Sequence, residues 1–290
     1  MKVLNLDPYF SPVQGPHLSH TIVRFSGGEV HISIDPIKFV SEDVVITSRV
    51  RCSDDIMLIL LAADALKGMG FKNIDLYIPY IPYARQDRRT SIGEPISIKI
   101  FANLINSVGF NKVIVVDPHS YVSTVVIDNC EVNDGMAYAV TMVNVARLQD
   151  CILIVPDAGA MKRCETLNKF VHFPGMYQCT KMRDTKGNIV KTQINAAPDQ
   201  IKGKSFFIFD DICDGGRTFI EIAKVLKEYG AKEVFLYVTH GIFSHGFDEI
   251  FKYIDKVYCT NSFKDVEMEG VYQIKLDSYT IMSNGEQVLR

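Results

Sequence analysis

Short apolar runs alternate along the chain with longer segments whose apolar positions recur every three or four residues. The runs predict strands at 44–47, 74–78, 112–116, 152–155, 205–209 and 234–238. Several are almost continuously apolar, the pattern of a strand covered on both faces. The longer segments predict helices at 55–68, 95–108, 136–147 and 218–229. In the second of these, Ile100, Phe101, Leu104, Ile105 and Val108 form a stripe of helical period. Gly70 and Gly230 stand where helix C-caps are expected. Strands alternating with helices imply an α/β protein with mainly parallel pairing, in more than one sheet.

The two halves echo each other. Residues 65–80 read ALKGMGFKNIDLYIPY and residues 225–240 read VLKEYGAKEVFLYVTH, a constant offset of 160. Leu66, Lys67, Gly70, Lys72, Leu76 and Tyr77 recur as Leu226, Lys227, Gly230, Lys232, Leu236 and Tyr237. A strand, a loop and a helix precede each echo, so the chain reads as two copies of one α/β unit. The turn signal Asn133-Asp134-Gly135 places the boundary, giving domains 1–135 and 136–290.

Composition narrows the class. With 290 residues, 47% hydrophobic, and 31 basic against 34 acidic side chains, the chain can bury cores and is not of disordered type. The near-neutral balance gives no reason to expect nucleic acid or a membrane surface as partner. The longest apolar run, 56–63, is far below the roughly 20 residues of a membrane span. Asp7 and Pro8 interrupt the place of an export signal. Seven scattered cysteines without a C-x-x-C pair argue against a disulfide framework and a structural zinc site. A reduced, cytoplasmic protein is expected.

The sharpest chemical signal is the segment 207–218, FIFDDICDGGRT. An apolar strand ends in Asp210 and Asp211, passes through Asp214, Gly215 and Gly216, and enters a helix at Arg217 and Thr218. Glycines let the backbone turn tightly and approach a ligand. Loop amides and a helix N-terminus offer partial positive charge to a phosphate. Thr218 is expected to cap the helix and donate to a phosphate oxygen. Asp210 and Asp211 are placed to accept from vicinal hydroxyls. A diol held by acids beside a phosphate held by amides describes a pocket for ribose 5-phosphate. The Gly-Lys-Ser/Thr signature of nucleotide hydrolases is not present here.

This segment resembles the phosphoribosyl diphosphate (PRPP) motif of type I phosphoribosyltransferases and of ribose-phosphate diphosphokinases, the PRPP synthetases. Residues 79–89, PYIPYARQDRR, are similar to the synthetase segment that reaches ATP, and by that resemblance Arg85 and Gln86 contact ATP. A guanidinium and an amide suit a polyphosphate and a base. Glu94-Pro95-Ile96-Ser97 and Phe101-Ala102-Asn103-Leu104 continue the likeness. In Asp117-Pro118-His119-Ser120, His119 matches the family's histidine near the metal–ATP complex. Pro156-Asp157-Ala158-Gly159 resembles a Pro-Asp-x-Gly segment whose aspartate helps hold Mg2+, making Asp157 the match. Mg2+ suits such sparse ligands because it keeps water and substrate phosphates in its shell. Lys181 and Arg183 match a catalytic Lys-x-Arg carried on a mobile loop. Phe25-Ser26-Gly27-Gly28-Glu29 resembles the Phe-Ser-Asp-Gly-Glu that recognises adenine, with Phe25 stacking on the base and Glu29 accepting from it. In the family this segment typically serves a neighbouring subunit, which implies a homo-oligomer.

The resemblance implies two similar phosphoribosyltransferase-like domains, each a mainly parallel sheet flanked by helices. It implies a Mg2+-dependent transfer of the diphosphoryl group of ATP to ribose 5-phosphate. The likeness runs from about Phe25 to Asn261. Departures are Gly27 for the family's aspartate, an opening before Phe25 unlike the family's strand and helix, and Asp-Gly-Gly-Arg-Thr for the usual Asp-Thr-Ala-Gly-Thr. The altered loop leaves room for an esterified 5-phosphate, as in ADP-ribose, with Arg217 offsetting the second phosphate. A phosphoribosyltransferase and a non-catalytic regulatory homologue are the remaining alternatives. The ATP segment counts against the former, and intact Lys181, Arg183, Asp210 and Asp211 count against the latter.

Overall fold

The computed structural model describes residues 1–37, 43–183, 189–276, 281–283 and 286–289. The chain divides into two compact units, Met1–Asp134 and Gly135–Arg290. Among the described residues no helix is long and apolar enough to cross a membrane.

The first unit runs β1 (Lys2–Asn5), β2 (His20–Arg24), β3 (Val30–Ile34), β4 (Asp43–Thr47), α1 (Ser53–Gly68), β5 (Asn73–Tyr77), α2 (Ser97–Asn106), β6 (Lys112–Val116), α3 (Tyr121–Val126) and β7 (Cys130–Asn133). Its sheet has the order β1-β4-β5-β6-β7, with every pair parallel. The opening therefore begins with a strand, which the sequence reading did not predict, and no helix stands between it and β2. That opening strand is short and polar at both ends, so its pattern is weak. Leu4, Ile46, Leu76 and Val115 on the sheet pack with Ile59, Leu66, Phe101 and Ile105 of α1 and α2 in one core. The stripe expected on α2 is only half buried. Phe101 and Ile105 face the core, whereas Ile100 and Leu104 are exposed and line a cleft of about 420 Å3 with Met57 and Tyr83. β2 and β3 form a separate antiparallel hairpin.

The second unit runs α4 (Met136–Ala146), β8 (Ile152–Val155), a 3-10 turn (Ala158–Ala160), α5 (Met161–Val171), β9 (Met176–Arg183), β10 (Ile189–Ile194), α6 (Pro198–Ile201), β11 (Ser205–Cys213), α7 (Arg217–Glu228), β12 (Glu233–Gly241), β13 (Lys256–Thr260), β14 (Val271–Ile274), β15 (Ile281–Ser283) and β16 (Glu286–Leu289). The sheet order is β10-β9-β8-β11-β12-β13-β14-β15-β16. Strands β9, β8, β11, β12, β13 and β14 pair in parallel, and β10, β15 and β16 join antiparallel at the two edges. β11 and β12 outrun their apolar runs because the backbone ladder continues past Phe209, pairing Asp210 with Val238 and Ile212 with His240. Side-chain charge does not interrupt a ladder made by main-chain groups.

The echo in sequence is an echo in structure. Gly70 and Gly230 both take a left-handed backbone, φ 97° and 81°. Behind Gly70, Phe71 N donates to Leu66 O at 3.1 Å, and behind Gly230, Ala231 N donates to Leu226 O at 2.9 Å. Each is the six-to-one bond of a Schellman cap, and each delivers the chain into the next parallel strand.

Candidate active site

In the second unit the C-terminal parts of β8 and β11 bring Asp157, Asp210 and Asp211 to one end of the sheet, Asp210 and Asp211 pointing to opposite faces. Asp157 closes β8 and caps the following 3-10 turn, its Oδ1 accepting from Gly159 N at 3.0 Å and Ala160 N at 3.3 Å. Asp211 is buried, and its Oδ2 lies 3.4 Å from Arg163 Nη2 on α5. Asp210 accepts the Asp211 amide at 3.0 Å. Burial, and then the charge of Asp211, push the Asp210 carboxyl well above the usual carboxylate range, with Asp157 adding a smaller push. Arg163 lies four residues beyond the Pro-Asp-x-Gly segment, and no spacing rule marks a helix residue as partner to a distant strand.

Beyond the acids the chain turns through Asp214, Gly215 and Gly216 into α7. Gly216 takes φ 78° and is the helix N-cap, so Thr218 lies inside the first turn and is not the capping residue expected from its type. Phe219 N and Ile220 N already donate to Gly216 O, both at 3.0 Å. Among the described residues, the amides of Gly215, Gly216 and Arg217 donate to no backbone carbonyl. Such a row of amides at a helix start is an anion cradle. A second loop is zipped onto it. Ile242 N and Phe243 N donate to Cys213 O at 2.9 and 3.1 Å, Ser244 N donates to Asp214 O at 3.1 Å, and Ser244 Oγ donates to Asp214 Oδ1 at 2.7 Å. This places His245 against Gly215, where a Cβ would stand 3.0 Å from Nδ1 of the imidazole. Sequence reasoning missed Ser244 and His245. The available signal was a polar Ser-His-Gly turn directly after the strand that pairs with β11.

Lys181 and Arg183 fall on the last residues of β9, paired in register with Thr192 and Ile189 of β10. They sit on a ribbon rather than in the loop expected. Their side chains lie outside the described residues, as does the segment 184–188 that follows.

In the first unit the functional candidates also gather at the C-terminal ends of neighbouring parallel strands, the usual place for ligands in such sheets. After β5, buried Ile81 and Ala84 pin the segment while Arg85 and Gln86 stay exposed. The turn is held by Gln86 N donating to Tyr83 O at 2.9 Å. After β6, Val116 N donates to Pro79 O at 3.0 Å and Ser120 Oγ donates to Asp87 Oδ2 at 2.6 Å. These bonds join the loop carrying Arg85 and Gln86 to the loop carrying exposed His119. Ser120 also caps α3, accepting from Val122 N at 3.2 Å. Beneath β1 and β4, buried Arg49 pairs with Asp7 at 2.7 Å and lies over Phe10.

Phe25 and Glu29 close the β2–β3 hairpin, where Phe25 N donates to Glu29 O at 2.9 Å. Phe25 is 53% exposed and touches His31, and Arg24 ties the hairpin to Asp54 of α1. Glu29 folds back over Gly27, so that a Cβ there would meet the carboxylate at 2.5 Å. The glycine that replaces the family's aspartate is thus matched by its neighbour's placement.

At the start of α1, Asp55 Oδ2 accepts from Arg51 N at 2.8 Å and Cys52 N at 3.0 Å. The first copy therefore fills its own helix entrance with a carboxylate, while the second copy leaves the corresponding amides open.

Comparison with known proteins follows the same division. Residues 12–109 match the model of the N-terminal domain of ribose phosphate pyrophosphokinase, and residues 176–271 match the phosphoribosyl transferase domain. The ribose-phosphate pyrophosphokinase of Mycoplasma genitalium is 30% identical over 264 residues, 87% of this chain and 78% of that protein. That of Pyrococcus abyssi is 30% identical over 250 residues, 83% of each. The crystal structure of phosphoribosylpyrophosphate synthetase from Mycobacterium smegmatis superposes with a TM-score of 0.79, at 23% identity, over 90% of this chain and 87% of that one, a likeness of fold. Two domains matched in order and relatives covered over most of their length make one assignment: the chain belongs to the ribose-phosphate pyrophosphokinase family.

Proposed function

We propose that the protein transfers the β,γ-diphosphoryl group of ATP to the anomeric hydroxyl of ribose 5-phosphate. The hydroxyl oxygen bonds to the β-phosphorus, the bridge from the β-phosphorus to the α-phosphate breaks, the hydroxyl proton passes to solvent, and AMP leaves. The observation that carries this reading is the end of β11, where Asp210 and Asp211 stand one short loop from open amides at the start of α7. The amides and Thr218 grip the 5-phosphate, and the acids accept from the ribose diol. Arg217 adds a guanidinium on the exposed side of the loop. The second unit is thus the acceptor domain, and it also bears the catalytic pair Lys181 and Arg183. Their cations offset the charge that spreads over phosphate oxygens during transfer. The first unit is the nucleotide domain, in which Arg85 and Gln86 hold ATP and Phe25 and Glu29 recognise its base.

Among the described residues no three His, Cys, Asp or Glu side chains cluster as a metal cage. A donor set this sparse fits Mg2+, which is held by one or two protein groups plus substrate phosphate and water. In the second unit Asp157, with Oδ1 committed to two amides, and in the first unit the exposed His119 are each a group that would hold such an ion. When bound, the ion neutralises phosphate charge. We assign the protein to the cytoplasm and to a homo-oligomer. The exposed apolar cleft around Ile100 and Leu104 supports self-association.

The test is incubation with Mg-ATP and ribose 5-phosphate, following AMP and the 1-diphosphate ester by anion exchange. Stoichiometric appearance of both is expected. Failure to form AMP with any ribose phosphate would overturn the reading and return the chain to the transferases or to a regulatory role.

A second acceptor is favoured by one observation: the loop carries the exposed Arg217 where the family usually has glycine. Its guanidinium would offset the second phosphate of an esterified acceptor such as ADP-ribose. Steady-state rates with both acceptors decide. A preference above tenfold for ribose 5-phosphate removes ADP-ribose.

A further inference from the structure

The acceptor loop is covered on one side by an imidazole. The second loop, locked to Cys213 and Asp214 by the bonds given above, turns sharply at Gly246, φ 70°, with Gly246 N donating to Phe243 O at 3.2 Å. That turn holds His245 with its Nδ1, Cε1 and Cγ at 3.0, 3.1 and 3.6 Å from the position of a Gly215 Cβ. A real Cβ at that distance would require the ring to give way by a few tenths of an ångström. The glycine and the histidine are therefore two halves of one arrangement: the loop has surrendered a side chain where an imidazole from elsewhere in the chain moves in. His245 is exposed and stands beside Gly215, whose amide, like that of Gly216 next to it, donates to no backbone carbonyl among the described residues. A ring carrying an N–H donor beside such amides adds a side-chain donor to a cradle otherwise made of main chain.

We propose that His245 is a ligand of the phosphate on C5 of the acceptor's ribose, standing in for the side chain that position 215 lacks. The inference rests on the acceptor-loop reading given above and names a further residue in that site. The group it recognises is a phosphate ester oxygen, whether terminal as in ribose 5-phosphate or bridging as in ADP-ribose. Because the contact is to the phosphate and not to the reacting carbon, it acts on acceptor binding and leaves ATP binding alone.

Calorimetric titration of the full chain with inorganic phosphate, ribose 5-phosphate and ADP-ribose, each against wild type and His245→Ala, tests this. A charge-assisted hydrogen bond predicts Kd rising about tenfold for phosphate and for whichever sugar phosphate binds, with the KM for ATP unchanged. A second variant guards against a folding artefact. Gly215→Thr should weaken phosphate binding in the wild-type background, and in the His245→Gly background it should restore it, because the new side chain then occupies the cleared space. A change below twofold in His245→Ala, or no binding of phosphate or sugar phosphate by the wild type, overturns the inference. Loss of AMP formation with intact, His245-dependent phosphate binding would instead overturn the diphosphokinase reading and leave this one standing.

Discussion

Asp210 and Asp211 are consecutive on β11 and live in opposite surroundings. Asp211 has the Arg163 guanidinium at 3.4 Å, while Asp210 sits among core atoms and negative charge, accepting one amide from Asp211 at 3.0 Å. Keeping an ionisable carboxyl in such surroundings costs stability, which is the pattern the acceptor reading expects of a ligand-binding acid.

Asp210→Asn should therefore abolish acceptor binding and at the same time raise the melting temperature at neutral pH. A carboxyl whose folded pKa is raised costs stability when ionised, above that pKa, and costs nothing below the ordinary value of 3.8, where both folded and unfolded forms are protonated. The stabilisation should shrink as pH falls toward 4. A melting curve in which the variant gains nothing at pH 8 would contradict it.

Asp7 behaves in the opposite sense. Burial pushes its carboxyl up, but the hydrogen bond and charge of Arg49, the Tyr9 amide and Arg51 together hold it below the ordinary 3.8. Its contribution is present above that value and is lost as pH falls through the lower folded pKa. Arg49→Met should leave the buried carboxylate with only Arg51 at 3.5 Å and the Tyr9 amide, and cost about 3 kcal/mol at pH 7 by urea titration. Asp7→Asn should flatten the acid limb of the stability profile. A loss below about 1 kcal/mol in Arg49→Met would show the pair to be dispensable.

All seven cysteines are free. Burial pushes the Cys130 thiol up to about 11 and those of Cys151 and Cys259 up to about 12. Cys164 is driven higher still by burial and by Asp210, and Cys179 and Cys213 are buried. Exposed Cys52 should be the one fast-reacting thiol under native conditions, and Cys52→Ser should remove that phase. Two or more fast equivalents with Ellman's reagent would be inconsistent with this picture.

The duplicated caps give a paired measurement. Both glycines hold positive φ, and a Cβ meets nothing within 4 Å at Gly70 and only Lys202 at 3.5 Å at Gly230. Gly70→Ala and Gly230→Ala should each cost about 1 kcal/mol, from backbone strain alone. Unequal losses would mean the two caps are not equivalent.

Lys181→Ala should lower turnover by two orders of magnitude or more while changing ATP affinity little, since a group used in the transition state spares the ground state (about 10²–10³ for one stabilising donor). An unchanged kcat would remove Lys181 from the mechanism.

Much of this was legible in the sequence, and the exceptions have physical reasons. Parallel strands buried on both faces announce themselves by composition, so β6 and β8 fall where the apolar runs do. The antiparallel hairpin β2–β3 has largely exposed strands and gives no such signal. α2 shows how a stripe misleads: Ile100 and Leu104 obey the helical period but look outward. The acidic strand end and glycine loop were readable because their order is itself chemistry. Arg163, Ser244 and His245 were not, because they come from α5 and from the loop after β12, and only folding brings them to the acidic strand and its glycine loop.

The carboxylate of Asp55, seated on the amides of Arg51 and Cys52, has an outcome for how the protein counts its substrate. Among the described residues, the second unit keeps the equivalent amides of Gly215 and Gly216 off any backbone carbonyl, so the proposed acceptor site occurs once per chain, and titration to saturation should give a stoichiometry of one.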